Sequence, residues 1–492
     1  MTTRATPAAT TIDSRSETEV CVIGAGPAGS VCAKRLSELG HQVLLVERHP
    51  FPRPHVGEAL TPAVRPLLHS LGVLPAVRDA GFLTCTESSV RWADDLVRHV
   101  RLPAGAAGLT VCRGRFDRLL LDAARSAGVG VLEPAVARRP RREADGWKVL
   151  VTTPEGAQLL RARFLVDATG RARVLGGRVT RTGPRTIALH TAWHVDPDDA
   201  PATCVEALPD GWLWGTLLPS GDYRVMAFTD PEHLRRSGVR RSSLESYFRS
   251  LLAGSELFHR LARDRPGDTV SVCDATSYFH PDPAGEDHLR LGEAAFAIDP
   301  LSSSGVEKAL QSAMSGAVTA HTLLSEDGDR TAALTYYRDS QRHSAEQHVK
   351  WAGGHYAEHR PYQGNVFWRR RALPLPALPA LPADTSAPAS PTDTDLAHLM
   401  HRRLRLTPTA ELVSTPCVVG DQVSFRPALS HPALARPVAY LGGLALAPLT
   451  ESLSGDHTLA ETLRTWTRTM APEQAMGIAR WLHEHHMVTV VG

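Results

Sequence analysis

Residues Glu19-Val-Cys-Val-Ile-Gly-Ala-Gly-Pro-Ala-Gly-Ser30 decide the fold. Val20, Val22 and Ile23 make a short buried strand, and Gly24, Gly26 and Gly29 complete a GxGxxG loop. The first glycine permits the tight turn and the second lets a phosphate approach the backbone around Ala28. The third lets the following helix pack closely on the strand. That helix is expected from about Pro27 to Leu39 and stops at Gly40. Its N-terminal amides and dipole face a pyrophosphate. A second strand, Gln42 to Val46, delivers Glu47 about twenty residues beyond the loop, where a carboxylate accepts from ribose hydroxyls. Strand, loop, helix, strand and acid in this order predict a dinucleotide site, and up to here FAD and NAD are served equally.

The rest of the composition is that of an ordinary globular protein, 42% hydrophobic and 22% charged over 492 residues. That length calls for two or three structural units. A net charge of +2 with mixed signs gives no support for a nucleic-acid or anionic-membrane surface. The 7 cysteines are scattered without CxxC spacing, so neither a metal site nor a disulfide framework is expected, and a reducing cytoplasm fits. The trio His483, His485, His486 lacks a matching ligand set and reads as a helix end. No stretch reaches the ~18 apolar residues of a membrane span. Residues 1–18 read as a disordered leader without a secretory core. From Glu19 to about Arg371, β-rich runs alternate with helical patterns. The Pro- and Ala-rich run 373–397 is a semi-rigid linker, because its prolines remove backbone donors and fix φ. Residues 398–492 are periodic again.

Further motifs separate FAD from NAD. Phe51-Pro-Arg-Pro-His-Val-Gly-Glu58, Val111-Cys-Arg-Gly-Arg-Phe-Asp117, Phe164-Leu-Val-Asp-Ala-Thr-Gly170 and Gly292-Glu-Ala-Ala-Phe-Ala-Ile-Asp-Pro-Leu-Ser-Ser-Ser-Gly-Val306 follow Glu47-Arg48 in that order. Read from its residues, the last segment is a small-residue turn introducing a helix. Its Ser and Gly leave amide donors uncovered, suited to a flavin pyrimidine or a developing anion. Together these motifs resemble those of flavin-dependent halogenases and their monooxygenase relatives, including the flavoprotein monooxygenases of tryptophylquinone cofactor maturation. The resemblance covers about Glu19 to Arg371.

The resemblance implies an α/β fold: a Rossmann-like, hydroxybenzoate-hydroxylase-type FAD domain (19–187 with 278–330), an inserted antiparallel substrate sheet (188–277) and a helical cover (331–372). It implies FAD contacts at Gly24, Gly26, Ala28, Gly29, Glu47, Arg48 and Arg113, and at Glu293, Asp299, Ser304, Gly305 and Val306. The family carries aspartate where Glu293 stands, in contact with the ribityl chain. Arg113 has a second reading, a helix-start charge pairing with Asp117.

Within that family a flavin C4a-hydroperoxide either inserts oxygen into an aromatic ring or oxidises halide. Halogenases carry an active-site lysine about 25 residues after the GE motif. Here the matching run Gly81-Phe-Leu-Thr-Cys-Thr-Glu-Ser-Ser-Val-Arg-Trp92 puts Cys85 in its place, and Ser302 stands where tryptophan halogenases place a glutamate. These departures favour a monooxygenase using dioxygen with NAD(P)H or reduced flavin from a partner reductase, acting on an aromatic substrate such as a peptide tryptophan. Trp212 and Trp214 alternate on a strand and either wall that substrate or pack the sheet. For proton transfer His55 and Glu58 are the candidates, with a supporting role beside the flavin as the alternative reading of both. The tail resembles winged-helix modules, including leader-peptide-binding domains. It is read as a peptide- or protein-docking module, or else a dimerisation or stabilising cap. Competing readings are a halogenase of an aromatic small molecule or carrier-bound substrate, a reductase or dehydrogenase, and a non-catalytic flavin-bound maturation partner.

Overall fold

The structure, a computed structural model, describes residues 16–196, 202–263, 266–372 and 396–491. Most of the expected leader (1–18) and linker (373–397) lies outside these residues. What is described of them differs from expectation: the first strand, Ser16–Ile23, begins inside the leader range, and a turn at Leu396–Leu399 begins inside the linker range.

The described residues fall into two compact units, one within Met1–Ser325 and Tyr337–Leu378, the other within Glu326–Tyr336 and Pro379–Gly492. In the first, the strand Ser16–Ile23 pairs in parallel with Val43–Val46 on one side and Gly156–Asp167 on the other. Val20, Cys21, Val22 and Leu45 are fully buried, as expected of strands covered on both faces. Gly130–Leu132 and His288–Arg290 extend the parallel set, and Val136–Glu143 and Gly146–Thr153 add an antiparallel wing. The helices Pro27–Glu38, Arg113–Ser126 and Gly305–Leu324 pack around this sheet. The first helix is capped at Leu39, and the second strand starts one residue later than expected, at Val43.

A second sheet has the order Ser271–Asp274, Ile187–His194, Asp222–Thr229, Gly211–Leu217, Thr203–Leu208, Glu87–Arg91, Arg98–Arg101. Its inner strands are antiparallel, but Glu87–Arg91 joins Thr203–Leu208 in parallel. Two of its strands therefore come from residues before the expected 188–277 insert. One face packs Leu213, Tyr223 and Phe248. The other carries Trp212, Trp214, Met226 and Phe228, against which Tyr356, Phe367 and Trp368 pack. Those last residues lie on the helices Arg330–Glu358 and Val366–Ala372.

The second unit has its own core of Leu404, Leu429, Leu446, Leu463, Trp466, Ile478, Leu482 and Met487. A three-stranded antiparallel sheet, in the order Ser454–Thr458, Arg403–Leu406, Val488–Val490, accompanies the helices Leu459–Trp466 and Pro472–Glu484. A long hairpin, Glu411–Val419 with Gln422–Ser430, completes it. Thr458 and Glu461 form the expected capping box.

Candidate active site

A cavity of about 670 Å³ opens between the glycine loop and the second sheet. At one end the loop turns through Gly24, whose φ of +102° only glycine adopts readily, with its amide on the Val46 carbonyl at 2.8 Å. Gly29 sits so close to the strand end that a Cβ there would come 1.8 Å from the Gly24 carbonyl oxygen. Glu47, buried at the end of Val43–Val46, accepts from the amides of Ala25 (2.8 Å) and His49 (3.0 Å). It lines the cavity with Arg48, so its carboxylate fixes the loop as well as facing the space expected for a ribose.

Arg113 makes the pair with Asp117 and also faces the cavity. Its guanidinium forks onto the fully buried Asp117 at 2.9 and 3.1 Å, donates from Nη1 to the Val56 carbonyl at 3.0 Å, and lines the cavity. Arg53 reaches the same carboxylate from 3.5 Å. Its Nη2 stands 3.6 Å from where a Cβ on Gly26 would be. Its Nε is buried without a hydrogen-bond partner among the described residues. Two guanidinium groups against one carboxylate leave a net positive charge beside the helix N-terminus at Gly26, a setting for an anion.

Glu58 is buried and committed: its oxygens take the Gly57 amide at 2.8 Å and Arg224 Nε at 3.2 Å. His55 bonds through Nδ1 to the Val56 carbonyl at 2.6 Å. In the neutral ring this makes Nδ1 the donor and Nε2 an acceptor. Desolvation by surrounding protein and the nearby Arg113 hold its pKa below the usual imidazole value, which keeps it neutral at pH 7.

Glu293 also lines the cavity and pairs with Arg171 Nε at 3.2 Å. Asp299 accepts the Leu301 amide at 3.0 Å and caps the turn Pro300–Ser302. Ser304 Oγ meets Ser302 Oγ at 2.7 Å, and the helix begins at Gly305, where an added Cβ would meet nothing within 4 Å. Ser302, Ser304, Gly305 and Val306 all line the cavity. So does Lys308, which sequence reasoning passed over. It is buried, donates to the Phe296 carbonyl and lies 4.3 Å over that ring. Burial pulls its pKa down to about 8. Trp212, Trp214, Met226 and Phe228 form the apolar wall.

Two expected residues lie outside the lining: Gly29, which packs behind the loop, and Cys85. The Cys85 thiol is 3.0 Å from Thr203 Oγ1, which in turn meets Thr216 Oγ1 at 2.8 Å. Arg53 and Lys308 were legible only as motif neighbours, since nothing in FPRP or GVEKA marks their side chains for the cavity. Among the described residues no His, Cys, Asp or Glu group is gathered to hold a metal ion, and no helix is long and apolar enough to cross a membrane.

The glycine loop, its helix dipole and the paired arginines fit a dinucleotide, and the cavity volume is within the range of about 300–1,000 Å³ usual for ligand sites. Comparison with known proteins agrees. Residues 17–212 match the FAD binding domain family. The chain is 29% identical over 366 residues to a tryptophan 2-halogenase of Chondromyces crocatus, spanning 68% of this chain and 67% of that protein. It is 27% identical over 372 residues to the putative FAD-dependent oxidoreductase LodB of Marinomonas mediterranea, spanning 72% of this chain and 96% of LodB. Its fold is similar to that of QhpG, a peptidyl tryptophan dihydroxylase essential for tryptophylquinone cofactor biogenesis (TM-score 0.73, 27% identity, 96% of this chain and 99% of QhpG). By these matches residues 17–212 form an FAD binding domain, in a chain similar to flavin-dependent halogenases and to FAD-dependent oxidoreductases.

Proposed function

We propose that the chain is an FAD-dependent monooxygenase that hydroxylates an aromatic side chain, with tryptophan in a peptide as the substrate class. The observation that carries this is residue 85. Where halogenases present a lysine, this chain has a thiol engaged with Thr203 and absent from the cavity lining. Lys308 does line the cavity, but its amine is held on the Phe296 carbonyl. The likeness to QhpG over nearly the whole chain supports the same choice.

FAD, reduced by NAD(P)H or by a partner flavin reductase, supplies the electrons for activating dioxygen, of which one atom enters the substrate and the other leaves as water. Gly24, Gly26, Ala28, Glu47, Arg48 and Arg113 hold the nucleotide end, with Gly29 letting the helix close behind them. Glu293, Asp299, Ser304, Gly305 and Val306 bound the flavin end. Trp212 and Trp214 exclude water and stack the substrate, with Ser302 opposite. His55, neutral and with Nε2 as an acceptor, is better suited to take a proton than Glu58, which its partners keep occupied. The second unit serves as a winged-helix-like docking module for the peptide or a carrier protein, and the chain works in the cytoplasm.

Mass spectrometry of tryptophan-containing peptides incubated with enzyme, FAD, NAD(P)H and ¹⁸O₂, with and without bromide, tests this. Incorporation of labelled oxygen independent of bromide is expected. A brominated product would establish instead the second reading, halogenation, which the tryptophan 2-halogenase similarity favours. No change in the peptide, with the flavin left oxidised, would make the chain a non-catalytic maturation partner.

A further inference from the structure

Tyr356 sits between two residues that face the cavity from different elements. Its hydroxyl lies 3.1 Å from Trp212 Nε1 and 3.1 Å from Asp299 Oδ1. Trp212 belongs to the aromatic wall, and Asp299 opens the turn that starts the helix Gly305–Leu324. The bond directions are fixed by chemistry. An indole N–H only donates and a carboxylate only accepts, so the hydroxyl accepts from Trp212 and donates to Asp299.

Neither end is free to drift. The Trp212 ring is stacked on Phe228 with centroids 3.9 Å apart, so its N–H moves only with the wall. Asp299 Oδ1 also holds the Leu301 amide, so a displaced carboxylate displaces the turn. Next comes Ser303, in the left-handed region at φ +50°, a strained conformation kept only where neighbours over-determine it. Tyr356 itself is buried, with Trp92, Phe367 and Trp368 at 5.9, 6.2 and 5.8 Å. They pack around the ring, and the hydroxyl is held by its two hydrogen bonds.

We propose that Tyr356 is a positioning residue that ties the aromatic wall at Trp212 to the flavin-side turn at Asp299, so that the two walls of the cavity move as one. This rests on the FAD reading above. The consequence is that a substrate displacing the Trp212 indole is sensed at the start of the flavin-facing helix, with no direct contact there.

The test uses the full-length apoprotein titrated with FAD. Tyr356→Phe keeps the ring but leaves Trp212 Nε1 without its partner and Asp299 Oδ1 with the Leu301 amide alone, so the turn loses its tie to the wall and the FAD Kd should rise about tenfold. The visible absorption and circular-dichroism bands of bound flavin should shift with it. Trp212→Phe should shift the bands in the same sense, and the double variant should add nothing to Tyr356→Phe, as coupled residues behave. Trp368→Phe is the control, because its indole donates to the Leu208 carbonyl and not into this chain of bonds. It should lower Tm and leave the flavin bands alone. Additive effects in the double variant, or an unchanged Kd and spectrum in Tyr356→Phe, overturn the proposal. Should Tyr356→Phe not fold, Trp212→Phe set against Trp214→Phe decides, and equal band shifts in the two overturn it. Wild-type protein that takes up no FAD would sink the cofactor reading itself, a distinct failure.

Discussion

Arg53 stands 3.5 Å from Asp117, a carboxylate that Arg113 already grips through two shorter bonds. The acid is satisfied by one partner, so the charge of the other is available to the cavity beside Gly26. Arg53→Met should therefore weaken FAD binding by roughly 30-fold, the worth of one charge-assisted contact to phosphate. Riboflavin, which has the ring and no phosphate, should bind wild type and variant alike. Fluorescence titrations with both ligands check this; equal losses for both would mean that Arg53 only braces the fold.

Gly29→Ala places a methyl group 1.8 Å from the Gly24 carbonyl oxygen. The backbone of the strand or the helix has to give way, so a loss on the order of 3 kcal/mol is expected. Gly305→Ala points its methyl into open space and should leave unfolding within about 0.5 kcal/mol of wild type. Urea denaturation of the two variants measures the contrast.

Lys308 carries a pH signature. Its folded pKa is lowered to about 8 from 10.5, so between those values the unfolded chain binds a proton that the native state does not. Stability linked to this residue is thus lowest below pH 8 and rises with pH through the window from about 8 to 10.5. Lys308→Met removes the titration. The variant should gain most over wild type near pH 7, with the difference shrinking toward pH 10. Paired thermal melts across that range check the sign, and a gap that stays constant would contradict it.

In the second unit Thr458 accepts the Glu461 amide and caps the helix Leu459–Trp466. Thr458→Ala should cost about 1 kcal/mol and act on that unit. Hydrogen exchange should register faster opening at Ala460 to Leu463, with the strand Ser16–Ile23 unaffected.

How far the sequence carries is visible residue by residue. The loop from Gly24 to Gly29, its helix and Glu47 were readable because their geometry is local: each element follows the previous one within a few residues. The same holds for Asp299 to Val306 and for the capping box at Thr458. Arg53, Lys308 and Tyr356 were not readable, because what gives them a role is a contact with Asp117, Phe296 or Asp299 that only the folded chain creates. Arg98–Arg101 escaped for another reason. All four of its residues are exposed, so the strand lacks the apolar alternation that announces a buried edge.

The parallel pairing of Glu87–Arg91 with Thr203–Leu208 bears on how such enzymes can be re-engineered. A cassette cut at 188–277 would carry five of the seven strands and leave Glu87–Arg91 and Arg98–Arg101 behind with their edge bare. A transplanted cassette must then match a host strand it never evolved beside, in register and in side-chain fit. Exchanging this wall between relatives therefore requires moving both segments together, because the sheet that carries the wall is woven from two distant parts of the chain.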